Sequence, residues 1–317
     1  MAVSTYLEFE KPVADLEKKI ADLEATGGAA VGEEVGKLRE KAQKQLEQIY
    51  THLNAWQKTQ VARHPDRPHF LDYVAGLFDE FVELAGDRKF MNDDAILGGL
   101  ARFRGKPVVV IGHEKGRDTQ TRLKHNFGMG KPEGYRKAVR LIELAGRFNL
   151  PVVALVDTSG AFPGKGGEER GQAEALARAI EACLTLDTPM ISVIVGEGGS
   201  GGAVALASGN KVLMMEHAVY SVISPEGAAS ILFRDAKRAK DTAEAMKITA
   251  QDLERFRIVD AVVPEPMGGA HRDPKDAIEK VGDAIEVALK TLDGMTPDDL
   301  RAQRKERFYA IGREGLA

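Results

Sequence analysis

Residues 191–234 read ISVIVGEGGSGGAVALASGNKVLMMEHAVYSVISPEGAASILFR, and the way the chain passes through these glycines decides the fold. Residues 191–195 form an apolar β-type run. Gly196-Glu197-Gly198-Gly199-Ser200-Gly201-Gly202 interrupts it, and residues 203–207 resume as a small-residue helical run. Five glycines in seven residues carry an entropic cost, so this place requires bare backbone. A strand feeding a glycine turn and then a helix leaves N–H groups without acceptors at the helix start. Such a turn suits an anion or a developing oxyanion.

Three signatures overlap here. Gly196-x-Gly198-x-x-Gly201 fits a dinucleotide-binding fingerprint, with Glu216 at about the ~20-residue spacing of a ribose-binding acid. Gly198-Gly199-Ser200-Gly201-Gly202 fits the nucleophile elbow of a serine hydrolase, with Ser200 as nucleophile. The third reading is an oxyanion-binding turn that works through peptide N–H groups alone. The segment by itself leaves all three open.

Upstream, the same pattern occurs once more. Residues 151–156 (PVVALV) are a continuous apolar strand, as expected of one buried on both faces. They end in Asp157-Thr158-Ser159-Gly160-Ala161-Phe162-Pro163-Gly164, and residues 168–184 follow as a helix opening with acids. Strand, glycine turn and helix twice in succession argue for a mostly parallel α/β sheet with helical crossovers. Two turns rich in peptide N–H groups at one end of such a sheet would face a single crevice.

Further out, residues 95–103 and 107–111 read as strands joined by Arg104-Gly105-Lys106, a hairpin. Residues 71–84 and 134–148 read as helices, and 211–215 and 259–263 as strands. His113, after the second hairpin strand, is either a general base or a structural histidine. Arg63-His64-Pro65-Asp66-Arg67-Pro68 stops any helix and marks a boundary. Before it, Val13, Leu16, Ile20 and Leu23, then Val35, Leu38, Ala42, Leu46, Ile49 and Leu53, predict two amphipathic helices broken at Gly27-Gly28. This hairpin reads as a packing arm or dimer contact, or as a prop for the main domain. Residues 268–273 read as a flexible loop.

The bulk numbers exclude several classes. The 317 residues carry a net charge of −4, which gives no basis for nucleic-acid binding by the chain as a whole. A single Cys183 rules out an internal disulfide and a Cys-rich zinc module, and reads as a buried thiol. No run approaches the ~18 apolar residues of a membrane span, and residues 1–10 do not form a signal peptide, so a cytoplasmic protein is expected.

Eight ordered motifs carry a resemblance. They are Ala62-Arg63-His64-Pro65, Leu84-Ala85-Gly86-Asp87-Arg88, Asn126-Phe127-Gly128-Met129, Pro132-Glu133-Gly134-Tyr135-Arg136-Lys137, residues 157–164, Glu168-Glu169-Arg170-Gly171-Gln172, residues 196–202 and residues 220–227. Together they resemble the α subunits of bacterial acetyl-CoA carboxylase carboxyltransferase over nearly the whole chain. The resemblance implies a crotonase-like (ClpP/crotonase) α/β spiral of ββα units over residues 63–317, with residues 1–62 as an N-terminal helical hairpin extension. It implies transfer of a carboxyl group from carboxybiotin, on a biotin carboxyl carrier protein, to acetyl-CoA, giving malonyl-CoA for fatty acid biosynthesis. It further implies an α2β2 heterotetramer with a β subunit that holds the zinc, biotin carboxylase in the larger complex, and no metal in this chain. Gly201 and Gly202 match the family's N–H pair facing the biotin ureido oxygen. Gly198, Gly199 and Ser200 belong to the same turn, and Gly160, Ala161 and Gly164 to a second wall. Ser200 is then a turn or cap residue. The family commonly has Thr-Pro-Gly-Ala-Tyr-Pro-Gly where this chain has Thr158-Ser159-Gly160-Ala161-Phe162-Pro163-Gly164, which restores one N–H and removes one hydroxyl. Competing readings are a serine hydrolase with Ser200 as nucleophile and His271 as base, a dehydrogenase using Glu216, and a non-catalytic scaffold.

Overall fold

A computed structural model describes residues 5–26 and 31–313. Two helices, α1 (Lys11–Thr26) and α2 (Val31–Thr51), make the expected N-terminal hairpin. Ile20, Val35 and Ala42 are buried between them, with Leu16, Leu23 and Leu38 alongside. Glu24 pairs with Arg39, and Val13 shares a cluster with Leu46, so the two helices run antiparallel. The Gly27-Gly28 break lies outside the described residues. Arg272 fastens the hairpin to the body, bonding Glu17 at 2.9 Å and the buried Glu10 at 3.3 Å.

Helix α3 (Ala55–Ala62) begins at a capping box. Asn54 Oδ1 accepts the Gln57 N–H at 2.9 Å, and Gln57 Oε1 accepts the Asn54 N–H at 3.0 Å. Helix α4 (Phe70–Leu77) follows the Pro-rich segment, and strand β1 (Phe78–Glu83) follows directly. The single helix expected over 71–84 is therefore half strand. Residues 78–83 carry Phe and Val that suit a pleated surface, and they pair antiparallel with the next strand; sheet pairing overrides local helical spacing.

Strands β2 (Ile96–Phe103) and β3 (Lys106–His113) form the expected hairpin. Its two-residue turn has Arg104 at φ 48° and Gly105 at φ 78°, the left-handed pair that matches strand twist. After α5 (Thr119–Lys124), helix α6 (Pro132–Phe148) buries Tyr135, Ala138, Leu141, Ile142 and Ala145 against the sheet. Strand β4 (Val152–Thr158) is buried at every position. The helix expected over 168–184 is two, α7 (Lys165–Glu169) and α8 (Gln172–Thr185). Gly171 at φ 79° breaks them apart, while Arg170 turns aside to bond Glu133 at 2.6 Å.

Strand β5 (Met190–Gly199) feeds the five-residue helix α9 (Ser200–Val204). Then come β6 (Lys211–Met215), β7 (Val219–Ser221), α10 (Pro225–Phe233), α11 (Ala239–Met246), α12 (Ala250–Arg255), β8 (Ala261–Val263), α13 (Pro274–Lys290) and α14 (Pro297–Ala310). The sheet runs β1-β2-β3-β4-β5-β6-β8, with β7 also on β5. From β3 onward every named strand pair is parallel, as the two strand–turn–helix units predicted. Strand β5 is forked: residues 191–194 pair with β6 and residues 197–199 with β7. Among the described residues, no helix is long and apolar enough to cross a membrane.

Candidate active site

The expectation that the chain leaves its strand at Gly196 is corrected by the structure. Strand β5 continues through Gly196, Gly198 and Gly199, and these glycines serve close packing within the sheet. Between the pairs Val156↔Ile194 and Thr158↔Gly198 the register slips by two residues, so β5 bulges opposite Asp157. A bulge frees backbone groups from the ladder, and here charged side chains catch them. Asp157 Oδ1 accepts the Glu197 N–H at 2.8 Å, and Arg67 Nε donates to the Val195 carbonyl at 2.7 Å. A Cβ at Gly196 would lie 2.5 Å from Asp157 Oδ1, so only glycine admits the carboxylate. Arg67 is itself neutralised in a fully buried bidentate pair with Glu265, at 2.7 and 2.8 Å.

Beyond the bulge, the two glycine turns meet. A Cβ at Gly199 would sit 2.2 Å from the Ser159 carbonyl. One at Gly202 would sit 2.6 Å from the Ala161 nitrogen and 2.9 Å from the Tyr135 hydroxyl. The close approach of the 159–161 and 199–202 backbones is what these glycines permit. Gly160 has φ 146°, and its N–H already donates to Thr158 Oγ1 at 3.1 Å, so it builds the wall without a spare donor. Gly201 differs from its neighbours. It is half-buried, and a Cβ there would meet only Leu176 Cδ1 at 3.4 Å, an ordinary contact. Gly201 and Gly202 are the second and third residues of α9, where N–H groups have no acceptor within the helix. Gly198 lies inside the sheet against the Tyr220 ring, and Gly164 caps α7 against the Phe162 ring; neither shares the surface position of Gly201.

Beside this junction, at the C-terminal ends of β3, β4 and β5, lies a cleft of about 410 Å³. Crevices at the carboxyl ends of parallel strands are where open α/β sheets bind ligands. Arg63, His69, Lys115, Arg122, Asp157 and Glu197 are among its lining groups, with Ser159 at its edge. Lys115 Nζ sits 2.6 Å from Asp157 and 3.8 Å from Glu197; Arg63 bonds both Glu197 and Glu226 at 2.6 Å. Burial opposes the charge on Asp157, yet Lys115 and the His69 ring outweigh it and hold its carboxyl well below the usual range. Asn126, Phe127 and Gly128 occupy three successive left-handed conformations, at φ 47°, 55° and 75°. This strained turn sets the exposed Phe127 at the cleft and closes over Lys115 and Asp157, both 2.9 Å from a Cβ at Gly128.

A family model described as acetyl co-enzyme A carboxylase carboxyltransferase-like matches residues 6–312. The acetyl-coenzyme A carboxylase carboxyl transferase subunit alpha of Caulobacter vibrioides is 64% identical over 315 residues, covering 98% of each chain. The chain belongs to the acetyl-CoA carboxylase carboxyltransferase α-subunit family. A Methylobacterium nodulans protein of the same name is 61% identical over 98% of this chain and 99% of its own. Among solved structures, transcarboxylase 12S with methylmalonyl-coenzyme A and methylmalonic acid bound superposes with a TM-score of 0.57 at 21% identity. That match covers 71% of this chain and 42% of the transcarboxylase chain. A Pseudomonas malonate decarboxylase hetero-dimer gives 0.56 at 17% identity, covering 69% of this chain and 89% of that one. At these identities the likeness shows the fold alone. It is the crotonase-like α/β fold, as expected.

Within this carboxyltransferase family member the hydrolase and dehydrogenase readings fail on geometry. Ser200 has φ 52° at a strand-to-helix turn and is exposed, as an elbow nucleophile would be. Yet its hydroxyl bonds to nothing among the described residues. His271, the base that reading requires, is buried and stacked on His64 with ring centroids 3.7 Å apart. Burial, with the nearby charges of His64, Arg67 and Arg272, pushes its pKa down to about 2. The dinucleotide reading fails because two of its three glycines are strand residues. Glu216 is tied instead to the Glu265 N–H at 3.0 Å. His113 is buried with both ring nitrogens unpartnered among the described residues, and burial pushes its pKa down to about 4. It is not among the residues lining the cleft. The residues missed by the sequence reading are Lys115, Asp157, Arg67 and Glu265, whose partners lie between 40 and 198 positions away. The local signal was a charged residue at the C-terminal end of each strand: Lys115 lies two residues beyond β3, and Asp157 is the penultimate residue of β4.

Proposed function

We propose that this chain is the carboxybiotin-facing half of a carboxyltransferase that passes a carboxyl group to acetyl-CoA, giving malonyl-CoA. The observation that carries this reading is the meeting of the 159–161 and 199–202 backbones beside the cleft. There a short helix opens on two glycines. Carboxybiotin, when bound, supplies an activated carboxyl group whose release leaves negative charge on the ureido oxygen. The N–H groups of Gly201 and Gly202 are the donors for that charge; pre-aimed donors of this kind are worth about 10²–10³ in rate each. The fit is supported by Gly201, because the fold leaves room for a Cβ there. The bare position is therefore available to a ring approaching from outside. Gly199, Ser200, Gly160 and Ala161 shape the wall, and the close packing of Gly202 on Ala161 keeps water from behind it.

The acetyl-CoA side belongs to a β subunit that carries the zinc, in an α2β2 assembly served by a biotin carboxyl carrier protein and biotin carboxylase in the cytoplasm. The relatives' designation as a subunit alpha and the hetero-dimeric structural neighbour support a multi-subunit enzyme. The test is malonyl-CoA-dependent carboxylation of free biocytin by the complex captured from the host, which needs no ATP. Carboxybiocytin formation that disappears with Gly201→Val is the expected result. An intact complex with its partner subunit that forms none would overturn the reading.

A further inference from the structure

We infer that Lys115 is a positioning residue for carboxyl transfer: acting through Asp157, it fixes the bulge of β5 and with it the place of the turn carrying Gly201 and Gly202. This rests on the function proposed above.

The bulge sets the register in which the last strand residues, 197–199, pair before the chain enters the turn. Two carriers hold it. On one side Arg67 grips the Val195 carbonyl, and Arg67 is sealed in a pair with Glu265 whose side chains are 1% and 0% exposed. That clamp is out of reach of anything entering the cleft. On the other side Asp157 Oδ1 grips the Glu197 N–H, and Lys115 Nζ lies 2.6 Å from the same oxygen. Lys115 lines the cleft and its side chain is 17% exposed. One clamp is thus built into the core, and the other depends on a cation that borders the ligand space.

A second carboxylate also lies within reach of Lys115. Lys115 is also 3.8 Å from Glu197 Oε2, while Glu197 Oε1 is held by Arg63 at 2.6 Å. Backbone and side chain of Glu197 therefore both answer to Lys115, two residues before Gly199. The groups facing Asp157 are Lys115, His69 at 3.6 Å, His113, Glu197, Arg67 and Tyr73. Lys115 is the close permanent cation of this set, since His69 and His113 carry charge only when protonated and Arg67 is spent on Glu265. Without the Lys115 charge, His69 and the Glu197 N–H still oppose burial, but with the largest opposing charge gone the Asp157 carboxyl takes up a proton at higher pH, and a protonated carboxyl is a poor acceptor for the Glu197 N–H.

The experiment uses the whole complex with its partner subunit in the biocytin assay. Lys115→Met is expected to lower kcat about 10²-fold while KM for malonyl-CoA stays within about twofold, because misplacement of the turn affects the reacting state. Its kcat–pH profile gains an acidic limb absent from wild type, and Lys115→Arg restores both rate and profile. Lys115→Gln replaces the Met variant if that one fails to assemble. A Met or Gln variant with wild-type kcat and profile overturns the inference, as does a rate loss that tracks a lowered melting temperature with no change in profile. Absence of transfer by the wild-type complex overturns the functional reading itself, which separates the two failures.

Discussion

At the residue scale, neighbouring glycines do unlike work. A Cβ at Gly202 would strike backbone at 2.6 Å, whereas one at Gly201 makes a normal contact. Gly202→Ala is therefore expected to cost about 1–3 kcal/mol by overpacking and to lower both melting temperature and transfer. Gly201→Val should leave the melting temperature within about 2 °C of wild type and still abolish transfer. Calorimetry alongside the biocytin assay checks both; equal melting losses in the two variants would contradict the distinction. Ser200→Ala should keep transfer within about threefold, since no base touches the hydroxyl. The sequence displayed the glycine-rich segment plainly, but not which glycine served what. That depends on Ser159, Ala161 and Asp157, contacts some forty positions away that no local pattern encodes.

At the element scale, α14 is docked partly through a buried arginine, alongside Leu300, Gln303 and Arg307. Arg304 is wholly buried and, among the described residues, has no carboxylate partner. Its guanidinium donates to the Cys183 carbonyl at 2.8 Å, the Thr188 carbonyl at 2.7 Å and Asn210 Oδ1 at 2.8 Å. Cys183 lies in the last turn of α8, where free carbonyls and the helix dipole favour a cation, and this compensates a burial that pushes the guanidinium down to about 10. Arg304→Met would leave those acceptors without donors and cost about 3 kcal/mol, measurable as a lower urea midpoint. An unchanged midpoint would show that water satisfies them. Nothing local in the charged run 298–311 distinguishes this arginine from its neighbours. Likewise the apolar residues of α4 and β1 suit a helix or a strand, and only pairing with β2 decides. The alternating strands and helices of the centre were legible because each has an unbroken apolar run between glycine turns.

At the scale of the whole molecule, acid should loosen the fold before it affects surface ion pairs. Burial lowers the pKa of His64, His113, His217 and His271, to about 4 for His113 and about 2 for His271. In the unfolded chain these rings titrate near ~6.5. The folded pKa lies below the unfolded one, so their stabilisation is complete above pH ~6.5 and declines as pH falls towards the folded values. Each can remove up to about 1.4 kcal/mol per pH unit across that window. Urea midpoints at three pH values between about 7.5 and 5.5 would test this, and a flat series would mean the rings are solvated. The histidine pairing joins the segment around His64, read from sequence as a mere boundary, to the loop at Gly268 and Gly269, read as flexible. Those glycines instead hold φ 88° and 90° in a packed turn, with Ala270 donating to Glu265 at 2.8 Å. The fork in β5 has its own consequence in time. Residues 191–194 lie between β4 and the five-residue β6, while 197–199 rely on β4 beyond the bulge and on the three residues of β7. Amide deuteration should therefore be slow in the first half of one strand and quicker in the second, a gradient rising towards the turn that carries the chemistry.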